Sequence, residues 1–143
     1  MPDPTRAVRI VGLGVVLALV TGCGGRGELD AGALSQQAKS LQSVAAEGAL
    51  LAQDAASGKS TRAYSGEHSA ELHAAASQTA TSLEAATTTP ALDPMRRRLA
   101  VLATQVTSYL DRIRDASESE DHALSRSLEL AAERIETLGR SLR

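Results

Sequence analysis

Phenylalanine and tryptophan are absent from this chain, and its aromatic content is two tyrosines, Tyr64 and Tyr109. That absence argues against a β-sandwich or barrel, whose strands lean on aromatic and β-branched side chains. It also removes the stacking platform that a binder of single-stranded nucleic acid uses. Cysteine occurs once, at Cys23, so no intrachain disulfide framework can form. Lysine occurs only as Lys39 and Lys59, and every other basic residue is arginine. That bias reads as GC-rich coding rather than chemistry. Basic and acidic residues nearly balance, at 15 and 17, so no electropositive surface for nucleic acid is expected. There is no serine elbow, no glycine-rich phosphate loop and no second cysteine for nucleophilic work, so no enzyme is expected. What remains is rich in Ala, Leu, Glu, Arg and Gln, which favour helix. The core must then be built from Leu, Ala, Val and Ile. Such small side chains bury little area, so modest stability follows.

The first residues read differently from the rest. Arg6 and Arg9 precede the uncharged run Ile10–Val20. That run is shorter than the about 20 apolar residues needed to span a bilayer. It fits the apolar region of a secretory signal peptide. The run ends Leu19-Val20-Thr21-Gly22-Cys23, an aliphatic residue, a small residue, Gly and then the sole Cys. This pattern resembles the lipobox of bacterial lipoproteins, and the resemblance covers residues 1–23 alone.

The resemblance implies a thioether from Cys23 to diacylglycerol, with the thiolate as nucleophile. It implies cleavage before Cys23, recognised through Val20, Thr21 and Gly22, and an N-acyl chain such as palmitate on the new amino group. Two or three acyl chains anchor stably where one does not. No other cofactor is expected. The expected organisation is a signal peptide over 1–22, an acylated cysteine and flexible tether over 23–29, and a helical domain over 30–143. Position 24 is Gly, not an acidic residue. The arginine and alanine bias favours a high-GC Gram-positive cell, with the chain lipid-anchored on the extracytoplasmic face of the plasma membrane.

Four periodic segments follow the tether. The first runs from Asp30 to Ser57, with Leu34, Leu41, Val44, Gly48, Leu51 and Ala55 on one face. Asp30 is its expected N-cap and Gly58 its stop. The second runs from Thr61 to Thr87, with Leu72, Ala76, Thr79, Leu83 and Ala86 on one face; its Ser and Thr residues lower helix propensity. The third begins at Asp93-Pro94, read as N-cap and first helical residue. Met95, Leu99, Leu102, Val106, Tyr109, Ile113 and Ala116 form its seam. The fourth opens with the capping-box pattern Ser117-x-x-Glu120 and carries Leu124, Leu128, Ala131, Ile135, Leu138 and Leu142. These seams are coiled-coil-like, on helices roughly 33–40 Å long. Short links between helices of like length imply antiparallel neighbours. The expected fold is all-α, an up-down-up-down four-helix bundle. The alternative is a three-helix core with a loose second helix.

Combined with an anchor at Cys23, this topology sorts the charges. The membrane-proximal end collects Arg26, Arg96, Arg97, Arg98, Arg140 and Arg143. The distal end collects Asp111, Asp115, Glu118, Glu120 and Asp121, with Lys59, Arg62, Arg112 and Arg114 among them. Arg96, Arg97 and Arg98 in the first turn of the third helix oppose its dipole. They are the candidate contact with anionic lipid headgroups, near which each basic side chain is worth about 1 kcal/mol.

The histidines are His68, His73 and His122. His68 and Glu71 share a helix face at i,i+3, and His122 falls near the same distal end. Zinc wants three or four converging ligands. One helix offers two at most, so no metal site is expected. His68, Glu71 and His122 are the weak candidates, and solvated histidines are the plainer reading. Two functions remain. One is a non-enzymatic interaction module of the cell envelope that binds an envelope protein; its seams serve equally for a partner helix or a second copy. The other is a lipoprotein that binds a metal or small ligand.

Overall fold

The computed structural model describes residues 28–143, and the expected signal peptide and lipobox, including Val20, Thr21, Gly22 and Cys23, lie outside them. The described chain is mostly helical, with helices α1 (Ala31–Ala56), α2 (Arg62–Ala85), α3 (Asp93–Ile113) and α4 (Glu118–Arg140). Strands β1 (Glu28–Leu29) and β2 (Thr87–Thr88) pair in parallel, Glu28 with Thr87 and Leu29 with Thr88. The last two residues of the expected flexible tether are therefore held to the α2–α3 link. A parallel ladder satisfies backbone groups that a free tether would leave to water.

Local chemistry sets the helix ends. The Asp30 carboxylate accepts from the Ala33 N–H at 2.7 Å, as an N-cap should. The Thr61 hydroxyl accepts from the Tyr64 N–H at 3.3 Å. Gly58 follows α1 at φ 67°, a left-handed conformation that favours glycine. At α4, Glu120 accepts from the Ser117 N–H at 2.8 Å and from its hydroxyl at 2.6 Å. The second helix is continuous, despite its Ser and Thr content, and packs along α3; the loose-helix alternative is not what the structure has.

The start of α3 departs from expectation. Leu92 is the cap residue and makes no side-chain cap bond, while Asp93 is the first helical residue. The N–H groups of Leu92 and Asp93 both bond the Thr89 carbonyl, so the chain is already coiled before Pro94. The Asp93 carboxylate is thereby freed from capping.

Packing is uneven. Helix α1 packs chiefly on α4, and α2 on α3; α1 meets α2, and α3 meets α4, more sparsely. The start of α1 lies against the end of α4, where a Cβ on Gly139 would sit 3.2 Å from the Ala38 Cβ. The start of α2 lies near the end of α3, since Arg62 reaches the Ile113 carbonyl at 3.3 Å. The core is Leu34, Leu41, Leu83, Leu99, Val106, Leu110, Ile113, Leu124, Leu128 and Ile135, with a stripe of alanines between them. On α3, Ala103 and Leu110 are buried, whereas Leu102 and Tyr109 only flank the core. Leu99, Val106 and Ile113 of the expected α3 seam are buried, and the buried face widens to Ala103 and to Leu110, which approaches α1.

Gly48 shows how tight that approach is. A Cβ there would lie 2.5 Å from Leu110 Cδ2 and 3.4 Å from Leu128 Cδ1. Gly48→Leu is expected to lower unfolding free energy by about 1–3 kcal/mol through overpacking. Leu110→Ala is expected to cost about 2–5 kcal/mol through the cavity it leaves. Urea unfolding followed by circular dichroism checks both.

Candidate functional site

The arginine cluster sits on the first turn of α3. Arg96 is largely withdrawn from solvent, with its side chain 14% exposed. Its Nε and Nη2 donate to Asp93 Oδ1 at 3.0 and 2.7 Å, and its Nη1 donates to the Leu83 carbonyl at 2.7 Å. It thus caps the last turn of α2 with a cation, where the dipole favours one. Arg97 reaches Asp93 Oδ2 at 2.7 Å. The Arg96 guanidinium, hydrogen-bonded to Asp93 and reinforced by Arg97, holds that carboxyl below the ordinary carboxylate range. Of the three arginines, Arg96 is committed to the fold, Arg97 is paired at its exposed edge, and Arg98 is exposed and makes no ion pair among the described residues.

The histidines do not converge as a set. His68 meets Glu71 on its own helix at 3.2 Å, and meets Glu47 on α1 at 2.8 Å. Both ring nitrogens therefore face carboxylates. The Tyr64 ring stacks on it at 5.8 Å between centroids. His122 and His73 are not part of this cluster, and no group of three or more His, Cys, Asp or Glu able to hold a metal occurs among the described residues. Glu47, which reads in the sequence as a plain surface charge, is the partner that the sequence did not reveal. Its signal is only its place on α1, 21 positions before His68.

A second correction lies where α3 ends and α4 begins. Asp121, which the sequence places in a cluster of charges with Asp111, Asp115, Glu118 and Glu120, is fully buried. Its Oδ2 accepts from Arg62 Nη1 at 2.8 Å, and its Oδ1 has no hydrogen-bond partner among the described residues. Arg62 also bonds the Ile113 carbonyl, so one guanidinium joins the start of α2, the end of α3 and the start of α4. The signal was present in the sequence. Extending the α4 seam one step back from Leu124 lands on position 121. Nearby, the Glu120 carboxyl is held below its ordinary range by the hydrogen bonds from the Ser117 hydroxyl and N–H.

No described helix is long and apolar enough to cross a membrane. No protein-family model, curated protein or solved structure matches this chain.

Two predictions follow from these clusters. Removing one partner of a buried ion pair leaves an uncompensated charge, at about 3–5 kcal/mol. Because the Arg62 side chain is 45% exposed, Arg62→Met should fall at the low end of that range, about 3 kcal/mol. The double variant Arg62→Met with Asp121→Leu should recover most of the loss, as read by urea unfolding. For His68, partial burial opposes protonation, but the hydrogen bonds and charges of Glu47 and Glu71 outweigh it and raise the pKa above 6.5. A raised pKa means the folded state holds the proton more tightly. Its stabilisation is full below 6.5 and is lost as pH rises through the raised value. Unfolding midpoints of the wild type and His68→Gln should therefore differ more at about pH 5.5 than at about pH 8.

Proposed function

We propose that this chain is an extracytoplasmic lipoprotein whose helical domain is a non-enzymatic interaction module of the cell envelope. The observation that carries the reading is Leu19-Val20-Thr21-Gly22-Cys23, which places the only cysteine directly after an apolar run preceded by two arginines. Acylation consumes that thiol and explains its solitude. The domain is then an up-down-up-down antiparallel bundle held close to the lipid. Support comes from the start of α1 lying against the end of α4, and the start of α2 lying near the end of α3. The β1–β2 ladder further supports a short connection, because it fastens residue 29 at the α2–α3 link.

In this arrangement the α1 start, the α2–α3 link and the α4 end face the membrane. The α1–α2 and α3–α4 turns point away, with Ser119 exposed at the far end and Ser141 at the near end. The distal turn is the surface offered to an envelope protein. The converging His68, Glu47 and Glu71 do not favour the metal-binding alternative, because the two carboxylates already occupy both ring nitrogens.

The anchor is tested by mass spectrometry of the chain recovered from its membrane. A mature protein beginning at Cys23 and carrying diacylglycerol is expected, and Cys23→Ser should abolish the lipid mass and leave the leader uncleaved. An unmodified Cys23 would sink the reading. The module is tested by photo-crosslinking in cells from position 119, with position 141 as control. A discrete protein adduct at 119 and lipid adducts at 141 are expected; an absence of any protein adduct at 119 would count against an envelope partner.

A further inference from the structure

The sparse contact between α3 and α4 leaves a groove of about 860 Å³ between the first half of α3 and the last half of α4. Its apolar surface comes from Met95, Val101, Leu102 and Leu138, and Val101 is 57% exposed. One exposed valine is ordinary, but this one lines the same trough as Met95, Leu102 and Leu138, and it is a grouped apolar surface that marks a binding site. Cations stand around this surface: Arg98 and Arg134 make no ion pair among the described residues, and Arg97 has only its Asp93 contact. Glu133 is the single acidic residue on the lining. The groove runs roughly 15 Å along α3 from Met95 to Gln105, taking 1.5 Å per residue. Its volume lies in the range of small-ligand sites. An apolar trough rimmed by guanidiniums is complementary to a molecule with an acyl chain and an anionic head.

The groove also opens at a definite place. Met95 lies 3.9 Å from the Ser141 hydroxyl, so its mouth is where α3 begins and α4 ends. Strand β1 pairs with β2 just before α3, so the chain enters the fold at that same end. Residue 23 is six positions upstream of Leu29, and a lipid attached there keeps the mouth at the bilayer surface.

We propose that the α3–α4 groove holds the acyl chain of one anionic phospholipid, with Arg98 and Arg134 on its phosphate. The groove's chemistry carries this inference; only the lipid's origin in the adjoining membrane rests on the anchor reading. It differs from a headgroup contact across a flat face, because an acyl chain lies between two helices.

The test uses the full chain reconstituted in phosphatidylcholine vesicles doped with a photoactivatable phosphatidylglycerol, its diazirine in the first carbons of one acyl chain, next to the glycerol. Adducts are mapped by peptide mass spectrometry, and vesicle flotation reads anchoring separately. Adducts are expected around Val101–Leu102 and Arg134–Leu138. Arg98→Glu and Arg134→Glu should each lower them by about five-fold or more, as loss of a basic side chain beside an anionic headgroup implies. Val101→Glu, at an exposed position that folding tolerates, should abolish them, with helicity and flotation unchanged. Adducts confined to other segments, adducts unaffected by all three substitutions, or equal labelling by a phosphatidylcholine probe would overturn the proposal. So would a concentration-dependent dimer that Val101→Glu dissolves and that leaves the groove unlabelled, since a second copy would then be the occupant. A chain that fails to float defeats the anchor reading alone. The groove is then decided by the same mapping and the same substitutions with a short-chain, water-soluble form of the probe.

Discussion

A core without phenylalanine or tryptophan can exclude water only if its helices come close, and that constraint organises this fold. Closeness needs small residues at the crossing points. The chain supplies them as Ala38 against Gly139 and as Gly48 beneath Leu110 and Leu128. Leucines and isoleucines then fill the space to either side. The outcome is two tightly packed pairs, α1 with α4 and α2 with α3, and two looser seams between them. Interiors packed this closely respond to single methyl groups, so the tight pairs have little freedom to vary.

The polar chemistry sits on the α1–α2 seam and at the helix ends. Across α1 and α2, the seam is bridged by His68 between Glu47 and Glu71. Where α3 ends and α4 begins, Arg62 draws three helix ends together on the buried Asp121. At the opposite end, Arg96 ties the last turn of α2 to the first turn of α3. Buried ion pairs add little net stability compared with apolar packing, but they penalise misalignment heavily. In a bundle whose interior is almost wholly alanine and leucine, such pairs fix the register of the helix ends. Between those ends, no ion pair among the described residues joins the Met95–Gln105 stretch of α3 to α4, and it is there that the seam opens into a groove.

Much of this was legible in the sequence. Asp30, Thr61, Gly58 and the Ser117–Glu120 pair mark helix ends through local backbone chemistry, so they place α1, α2 and α4 to within a residue or two. The interior of α3 was harder. A pattern weighted toward large apolar residues selects Leu102 and Tyr109, while the buried face also takes in Ala100 and Ala103. Asp93 reads as a cap because Asp-Pro usually begins a helix, but a turn at Thr89 starts the coil earlier and leaves Asp93 to hold Arg96 and Arg97. The partners Glu47 with His68 and Arg62 with Asp121 depend on which helices become neighbours. That is set by long-range packing, which no local pattern encodes. The same holds for the groove, whose two walls end and begin at Gln105 and Glu133, on separate helices.

Function rests on joining a chemical signal at one end of the chain to a geometry at the other. If Cys23 carries lipid, the end of the bundle with β1, the α2–α3 link and the α4 terminus lies at the membrane, and the distal turn projects outward by one helix length, roughly 32–39 Å. The most direct measurement is electron paramagnetic resonance depth profiling of the acylated chain in vesicles that carry a nickel-chelating headgroup lipid. Nitroxides are placed at Ser141 and Ser119, one at a time, through introduced cysteines, since acylation leaves Cys23 without a thiol. We expect strong relaxation enhancement at position 141 and almost none at position 119. Equal enhancement at both positions, or stronger enhancement at 119, would contradict the orientation and with it the membrane-facing role of the arginine-bearing end.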